Sequence, residues 1–297
     1  MEVISMEFKK LTLEDKSVFD KYYEKFPQVS SFLSFTTLYL WKKYSGIEYA
    51  VFESGDIVLK GISGKTGNSY FCLPETDEKT FLLLLDELKR EYREINLINL
   101  TEAQTEMVKK AYPDATVEYK ENNGNYVYKT SSLATLSGKK LQSKRNHLNG
   151  FKNSYEYEIR EIDEKIVDEC ISLTEEWFDS KTVEEGYLEA ETEVCSEALK
   201  LRKELGLKGI AIVCDSKVIA YSVGEYMNNG KMAHIIIEKA DSDYRGAFNA
   251  INNFFINECW LDTEYVNREE DMGVEGLRKA KLSYRPAFLL KMYNVRI

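Results

Sequence analysis

Apolar and polar positions along the chain follow two rhythms, and the order of those rhythms repeats. LTLEDKSVFDKYYEKF (Leu11 to Phe26) places apolar residues three and four apart, which predicts a helix. Thr12 can cap it, and Asp15 sits where a capping-box acid belongs. A second helix follows in SFTTLYLWKKY. IEYAVFESGDIVLKGIS alternates with period two on both sides of Ser54-Gly55-Asp56 and reads as a hairpin. SYFCLPE then predicts a strand, DEKTFLLLLDELKREY a helix, INLINL a strand and TEAQTEMVKKAYP a helix. TVEYKENNGNYVYKT reads as a closing hairpin through Asn122-Asn123-Gly124.

The second half runs in the same order. YEYEIREI is a strand, and DEKIVDECISLTEEWFDS and LEAETEVCSEALKLRKEL are helices. KGIAIVCDSKVIAYSVGEY turns at Asp215-Ser216, and KMAHIIIEKA is a further strand. YRGAFNAINNFFINECW is a helix, TEYVNRE a strand, VEGLRKAKLSYRP a helix and AFLLKMYNVRI a final strand. LINLTEAQ…KKAYP aligns with YVNREEDM…KLSYRP, which sets Asn99 opposite Asn267 and Pro113 opposite Pro286. The period is near 168 residues, too long for a solenoid and suited to two copies of one αβ domain. The predicted division is an N-terminal domain over 1–135, a basic connecting helix over 136–152 and a C-terminal domain over 153–297. Each copy reads β-α-α-β-β-β-α-β-α-β, a mixed sheet with helices on both faces. That order resembles the GNAT acyltransferase fold, in which an acyl donor enters a gap between parted central strands.

Composition narrows the function classes. The 297 residues are 43% hydrophobic with four prolines, a globular balance, and the net charge of −10 argues against blanket nucleic-acid binding. MEVISMEFKK has an acid at position 2 and no apolar core, so no signal peptide is expected, and no apolar run reaches bilayer length. Five scattered cysteines without a C-x-x-C pair suit packed, reduced thiols in a cytoplasm. With only His147 and His234, a histidine-rich metal site is not expected.

Two stretches carry a sharper likeness. LSGKKLQSKRNHLNGF (Leu136 to Phe151) and VNREEDMGVEGLRKAKLSYRP (Val266 to Pro286) resemble the C-terminal domain family of lysylphosphatidylglycerol synthases. Those are tandem GNAT-like domains related to the Fem peptidyltransferases. The likeness covers essentially the whole chain, without the multi-helix region that precedes this domain in the membrane-bound enzymes. It implies aminoacyl transfer from a charged tRNA to an amine or hydroxyl acceptor on a small molecule, lipid or peptide, with no cofactor.

The second stretch sets Glu269, Glu270 and Asp271 before a helix expected to start near Gly273, and Arg278, Lys279 and Lys281 within it. Charges in that order cap a helix dipole. The glycines Gly273 and Gly276 are not needed for capping and would let backbone approach a ligand. Helical spacing predicts Leu277, Ala280 and Tyr284 toward the core and Arg278, Lys281 and Arg285 on a cationic stripe. The resemblance implies that this segment lines the cleft. Asn267 would then orient substrate, Arg278 and Lys281 would meet a phosphate, and Glu269 or Asp271 would hold a donor's ammonium. From Asn122 to Tyr155 there are six cations and no acid. This run is either a solvated helix or a phosphate-tracking surface for the tRNA acceptor arm, or Arg145-Asn146-His147 point instead into the second domain's cleft; Lys144, Arg145 and Asn146 are the substrate-binding candidates. His147 reads as a packed or hydrogen-bonding side chain.

A coenzyme A site needs Gln/Arg-x-x-Gly-x-Gly/Ala at a helix start, where free N–H groups bind pyrophosphate. The chain has Asp243-Tyr244-Arg245-Gly246-Ala247-Phe248, so only Arg245 and Gly246 keep that option. Asp241 or Asp243 is expected to cap the helix instead. In the first copy, Leu73-Pro74-Glu75-Thr76-Asp77 has no glycine, and that copy is expected to be structural. Ala280 stands where many acetyltransferases place a tyrosine acid. Glu225 and Glu238, ending adjacent strands, join Glu269 as base candidates. The favoured reading is an aminoacyl-tRNA-dependent acyltransferase whose second copy holds the cleft. The alternatives are an N-acyltransferase using acetyl-CoA and a non-catalytic binding protein.

Overall fold

The computed structural model describes residues 6–52, 54–63, 66–179 and 185–297. Residues 1–5 of the amino terminus, Glu53 in the first hairpin loop and Ser180 at the end of an expected helix lie outside these. The strands of the first half are β1 (Lys9–Lys10), β2 (Glu48–Val51), β3 (Ile57–Ile62), β4 (Ser69–Cys72), β5 (Asn96–Leu100), β6 (Thr116–Tyr119) and β7 (Asn125–Lys129). Those of the second are β8 (Glu158–Glu161), β9 (Lys208–Cys214), β10 (Lys217–Met227), β11 (Met232–Ala240), β12 (Tyr265–Asn267), β13 (Phe288–Leu290) and β14 (Tyr293–Arg296).

Among the described residues they form two sheets of seven, ordered β1-β2-β3-β4-β5-β14-β6 and β13-β7-β12-β11-β10-β9-β8. Matching β1 through β6 with β8 through β13 makes the two orders the same. The seventh strand of each half then lies between the fifth and sixth strands of the other half's sheet. In each sheet the fourth and fifth strands are parallel, and the pairs that precede them are antiparallel. The duplication inferred from residue echoes is thus present in the topology.

This exchange overturns two local expectations. Asn122-Asn123-Gly124 does not close a hairpin, because β6 and β7 pair in different sheets. A tight hairpin needs left-handed backbone at its centre. Here Glu121–Asn123 is a 3-10 turn and Gly124 has φ −71°. AFLLKMYNVRI is likewise two strands, β13 and β14, in separate sheets. By contrast Asp215 (φ 48°) and Ser216 (φ 64°) do adopt that backbone and join β9 to β10 with Cys214 opposite Lys217.

By compactness one unit comprises Met1–Asn125, Glu270–Met272 and Leu289–Ile297, and the other Tyr126–Glu269 and Gly273–Phe288. In the first, helix Glu78–Glu91 buries Phe81, Leu84, Leu85 and Leu88 against Phe71 and Leu97 of the sheet. Asp15 completes the expected capping box with Thr12. Burial opposes its charge, but the Tyr49 hydroxyl, Thr12 and the Lys9 ammonium hold its carboxyl down to about 2. In the second unit, helix Ala247–Cys259 lays Ile251, Phe254 and Phe255 on one sheet face. The basic helix forms over Gln142–Ser154 and enters the same core through Leu148 and Phe151.

One irregularity decides where the second sheet's polar residues point. β10 pairs Val223 with Ile237 but Gly224 with Ile235, so Ile236 is bulged. Gly224 is required there, since a Cβ would meet the His234 carbonyl oxygen at 2.5 Å. Backbone cannot yield as a side-chain tip can. Gly224→Ala is therefore expected to lose about 2 kcal/mol, read as a lowered urea midpoint. An unchanged midpoint would contradict the bulge geometry.

Candidate functional site

Strand residues alternate faces, and a bulge reverses the alternation. Ala233 and Ile235 point into the core beneath helix Ala247–Cys259, which turns His234 to the opposite face. Past the bulge Ala240 points into that core and so does Glu238, whose Oε2 accepts from Asn252 Nδ2 at 2.9 Å. Lys239 takes the other face, where its Nζ meets Glu191 at 2.7 Å beside the Trp177 ring. Glu225 and Glu238, equivalent candidates in the sequence, are therefore parted by the sheet.

The two polar groups meet at the end of β12. β11 and β12 pair only as far as His234 with Asn267. Beyond that register their pairing ends, and among the described residues no other strand pairs with this edge of β11. Arg268 and Glu269, consecutive just past β12, diverge to the two faces. Glu269 has left-handed backbone (φ 57°), and its N–H donates to Asn267 Oδ1 at 2.8 Å. Asn267 is fully buried, so it acts on the turn that aims Glu269.

On one face the buried His234 ring links two carboxylates, Nδ1 to Glu225 at 3.0 Å and Nε2 to Glu269 at 2.9 Å. Burial works against the charged ring. The hydrogen bonds and negative charges of Glu225 and Glu269 outweigh it, and His234 is pushed up to about 9. At neutral pH it is an imidazolium donating to both acids. The Glu225 side chain is 12% exposed and that of Glu269 31%, so Glu269 is the more open of the two carboxylates.

On the other face Arg268 Nη2 reaches Glu238 at 2.8 Å, joining the two strands that part. Its guanidinium carbon lies 4.9 Å from the centroid of the Tyr284 ring. Lys144 Nζ stands 4.3 Å from the same centroid. Tyr284 Oη accepts from Asn249 Nδ2 at 2.6 Å, and burial pushes the phenol up to about 12.

Other expected residues fall differently. Helix Glu275–Ser283 buries only the end of the apolar stripe read from its spacing. Tyr284 is buried as expected, but Leu277 is 38% exposed and Ala280 is exposed, while Lys281 is buried in their place. Tertiary hydrogen bonds cause this: Lys281 Nζ donates to the Arg268 carbonyl at 2.6 Å, and Tyr128 Oη donates to the Lys281 carbonyl at 2.8 Å. Arg278 is half-buried on that helix and Asp271 is buried. Arg145 binds the carbonyls of Leu136 and Gly138, which ties down the turn before its own helix. Asn146 and His147 are exposed.

Neither aspartate caps helix Ala247–Cys259, contrary to expectation. Asp241 Oδ1 accepts from the Asp243 N–H upstream, and the N-cap is Gly246 at φ 92°. Gly246 is needed for close packing, since a Cβ would lie 2.7 Å from the His147 carbonyl oxygen. The Arg245 N–H donates to Tyr155 Oη at 3.1 Å, and the Arg245 side chain is exposed.

His234 and Arg268 were missed in the sequence. Their one signal is position: a histidine inside the apolar run MAHIIIEKA, and a cation directly after the singled-out Asn267. The first copy lacks the centre. Phe71 pairs with Leu97 as Met232 pairs with Tyr265, and the Asn99–Asn267 alignment then sets Leu73 where His234 stands.

Two mixed sheets with helices, related by duplication, make this a tandem GNAT-like acyltransferase fold, as in a tandem GNAT protein of the clavulanic acid biosynthesis pathway. The chain belongs to the family described as phosphatidylglycerol lysyltransferase, C-terminal, which matches residues 23–296. It is thereby homologous to aminoacyltransferase domains. A conserved protein of unknown function from Bacteroides thetaiotaomicron superposes with TM-score 0.88 at 30% identity, over 98% of this chain and 99% of that one. The C-terminal domain of a putative lysylphosphatidylglycerol synthetase from Agrobacterium fabrum gives 0.65 at 15%, over 95% and 92%. An uncharacterized protein of Mycoplasmoides gallisepticum is 28% identical over 93% of this chain and 96% of its own length. No helix among the described residues is long and apolar enough to cross a membrane.

Proposed function

We propose that the second unit transfers an aminoacyl group from an aminoacyl-tRNA ester to an amine or hydroxyl acceptor. The observation that carries this is the Glu225–His234–Glu269 chain, which ends in one open carboxylate beside the parting strands. Glu269 takes the proton of the attacking O–H or uncharged N–H group as the nucleophile adds to the ester carbonyl. The tetrahedral oxyanion then collapses, the carbon–oxygen bond to the tRNA ribose breaks, and the Glu269 carboxyl returns the proton to the leaving oxygen. An aminoacyl ester is already activated, so alignment and charge placement supply most of what is needed. His234, charged and bonded to both acids, fixes the carboxylate and moderates its charge. Family membership supports aminoacyl transfer, while donor and acceptor are this reading's own.

The geometry weighs against acetyl-CoA as donor. The Arg268–Glu238 ion pair spans the parting strands, where a pantetheine arm would pass. The start of helix Ala247–Cys259, where pyrophosphate would sit, lies under the His147 carbonyl. The test incubates the protein with pooled radiolabelled aminoacyl-tRNA and a lipid and small-molecule extract, then follows the label. Label on an acceptor, formed at a rate proportional to protein, is expected. No transfer from any charged tRNA would sink the reading and favour a binding protein. Micromolar acetyl-CoA binding by calorimetry would favour the coenzyme reading.

A further inference from the structure

We infer that Lys144 and Arg268, over the Tyr284 ring, form a subsite for a phosphodiester of the RNA donor, close to its 3′ end. This rests on the proposed reading and deepens it by assigning residues to the donor's backbone.

The first observation is an imbalance of charge. Lys144 and Arg268 share one aromatic ring, at 4.3 and 4.9 Å from its centroid. Glu238 serves Arg268 and Asn252. Among the described residues, no carboxylate lies within ion-pair distance of Lys144. Lys144 is half-buried, and burial together with the nearby Arg268 charge depresses its ammonium. Two cations against one carboxylate, partly removed from water, leave an excess that an anion would relieve.

The second observation is a pair of unanswered polar atoms. Arg268 Nη1 is buried without a hydrogen-bond partner, although Nη2 is paired. Asn252, 1% exposed, sends Nδ2 to Glu238 and leaves Oδ1 buried with none. A guanidinium matches oxyanions through parallel donors, and a phosphate has oxygens for Lys144 as well. A phosphodiester therefore supplies acceptor oxygens to the excess cations.

RNA is favoured over a lipid headgroup by what leads to the subsite. Lys139, Lys140, Lys144 and Lys152 fall in the run without an acid, on or just before the helix that carries Lys144. Several cations on one segment can answer several phosphates, whereas a single headgroup engages one or two.

The test uses the full chain and deacylated tRNA, with affinity read by fluorescence anisotropy across a salt series. Lys144→Met, at a half-exposed helix position, is expected to weaken binding about tenfold. The slope of log K against log salt should flatten by roughly 0.7, one single-strand phosphate. A tRNA with an uncharged methylphosphonate as its last 3′ linkage should lose affinity for wild type and little more for Lys144→Met. Equal affinity and slope in wild type and variant would overturn the subsite, as would failure of wild type to bind tRNA. So would Lys144-dependent binding to phosphatidylglycerol vesicles in place of tRNA. Lys144-dependent tRNA binding without aminoacyl transfer would uphold the subsite and overturn only the reading of the reaction.

Discussion

Glu269→Gln is expected to cut the transfer rate about 100- to 1,000-fold while the protein stays folded. The amide keeps the size and one acceptor oxygen of the carboxylate but cannot take a proton. General-base contributions are about 10²–10⁴ in rate, and the lower part of that range applies because the ester is activated. The Glu269 backbone also accepts from the Tyr126 N–H at 3.0 Å, a bond that glutamine retains. Side-chain amide donors can still meet His234 in its other protonation state, so the loss should fall on kcat and spare tRNA affinity. Glu225→Gln, two hydrogen bonds further from the reacting atoms, should cost less. Single-turnover kinetics with preformed aminoacyl-tRNA would separate the two. A Glu269→Gln enzyme within threefold of wild type would remove this carboxylate from the chemistry.

The second large effect is on stability. In His234→Leu the Glu225 and Glu269 carboxylates lose the donor between them, and Glu225 is largely out of water. Removing one member of a buried ion pair costs about 3–5 kcal/mol. Partial exposure of Glu269 moves the expectation to about 3. The wild type carries the complementary signature. Its His234 sits near 9 when folded against 6.5 ordinarily, so the folded state binds that proton more tightly. The stabilisation, about 3 kcal/mol, is complete below pH 6.5 and is lost as pH rises through 9. Urea midpoints from pH 5 to 10 check both statements. A variant as stable as wild type at pH 7, or a wild type indifferent to alkaline pH, would contradict the charged-ring assignment.

Much of the candidate site was within reach of sequence reasoning, and the reason a residue was or was not singled out is local. Asn267 and Glu269 stood out because acids and glycines crowd the end of a strand, and that signal survives without coordinates. Glu225 was found as a strand-end acid. Its pairing with His234 was not, because a lone histidine in an apolar strand looks like core until its neighbours are known. Glu238 was grouped with Glu225 because uninterrupted alternation puts them on comparable footing; the bulge at Ile236 sends them to opposite faces. The reading of helix Glu275–Ser283 failed for a similar reason. Spacing identifies faces but not which face is buried, and a lysine tied to the Arg268 carbonyl outcompeted a leucine for the interior.

The chain by itself determined the element types, their duplicated order, the hairpins whose turn residues accept left-handed backbone, and the family to which two long motifs belong. These are written in periodicity and turn chemistry, which act over a few residues. Tertiary structure alone decided that β7 and β14 change sheets, that His234 joins Glu225 to Glu269, and that Lys144 and Arg268 share a ring. Each depends on residues far apart in the chain meeting through sheet register and packing. Neither register nor packing leaves a mark on local spacing when one bulged residue can reverse the face of all that follows.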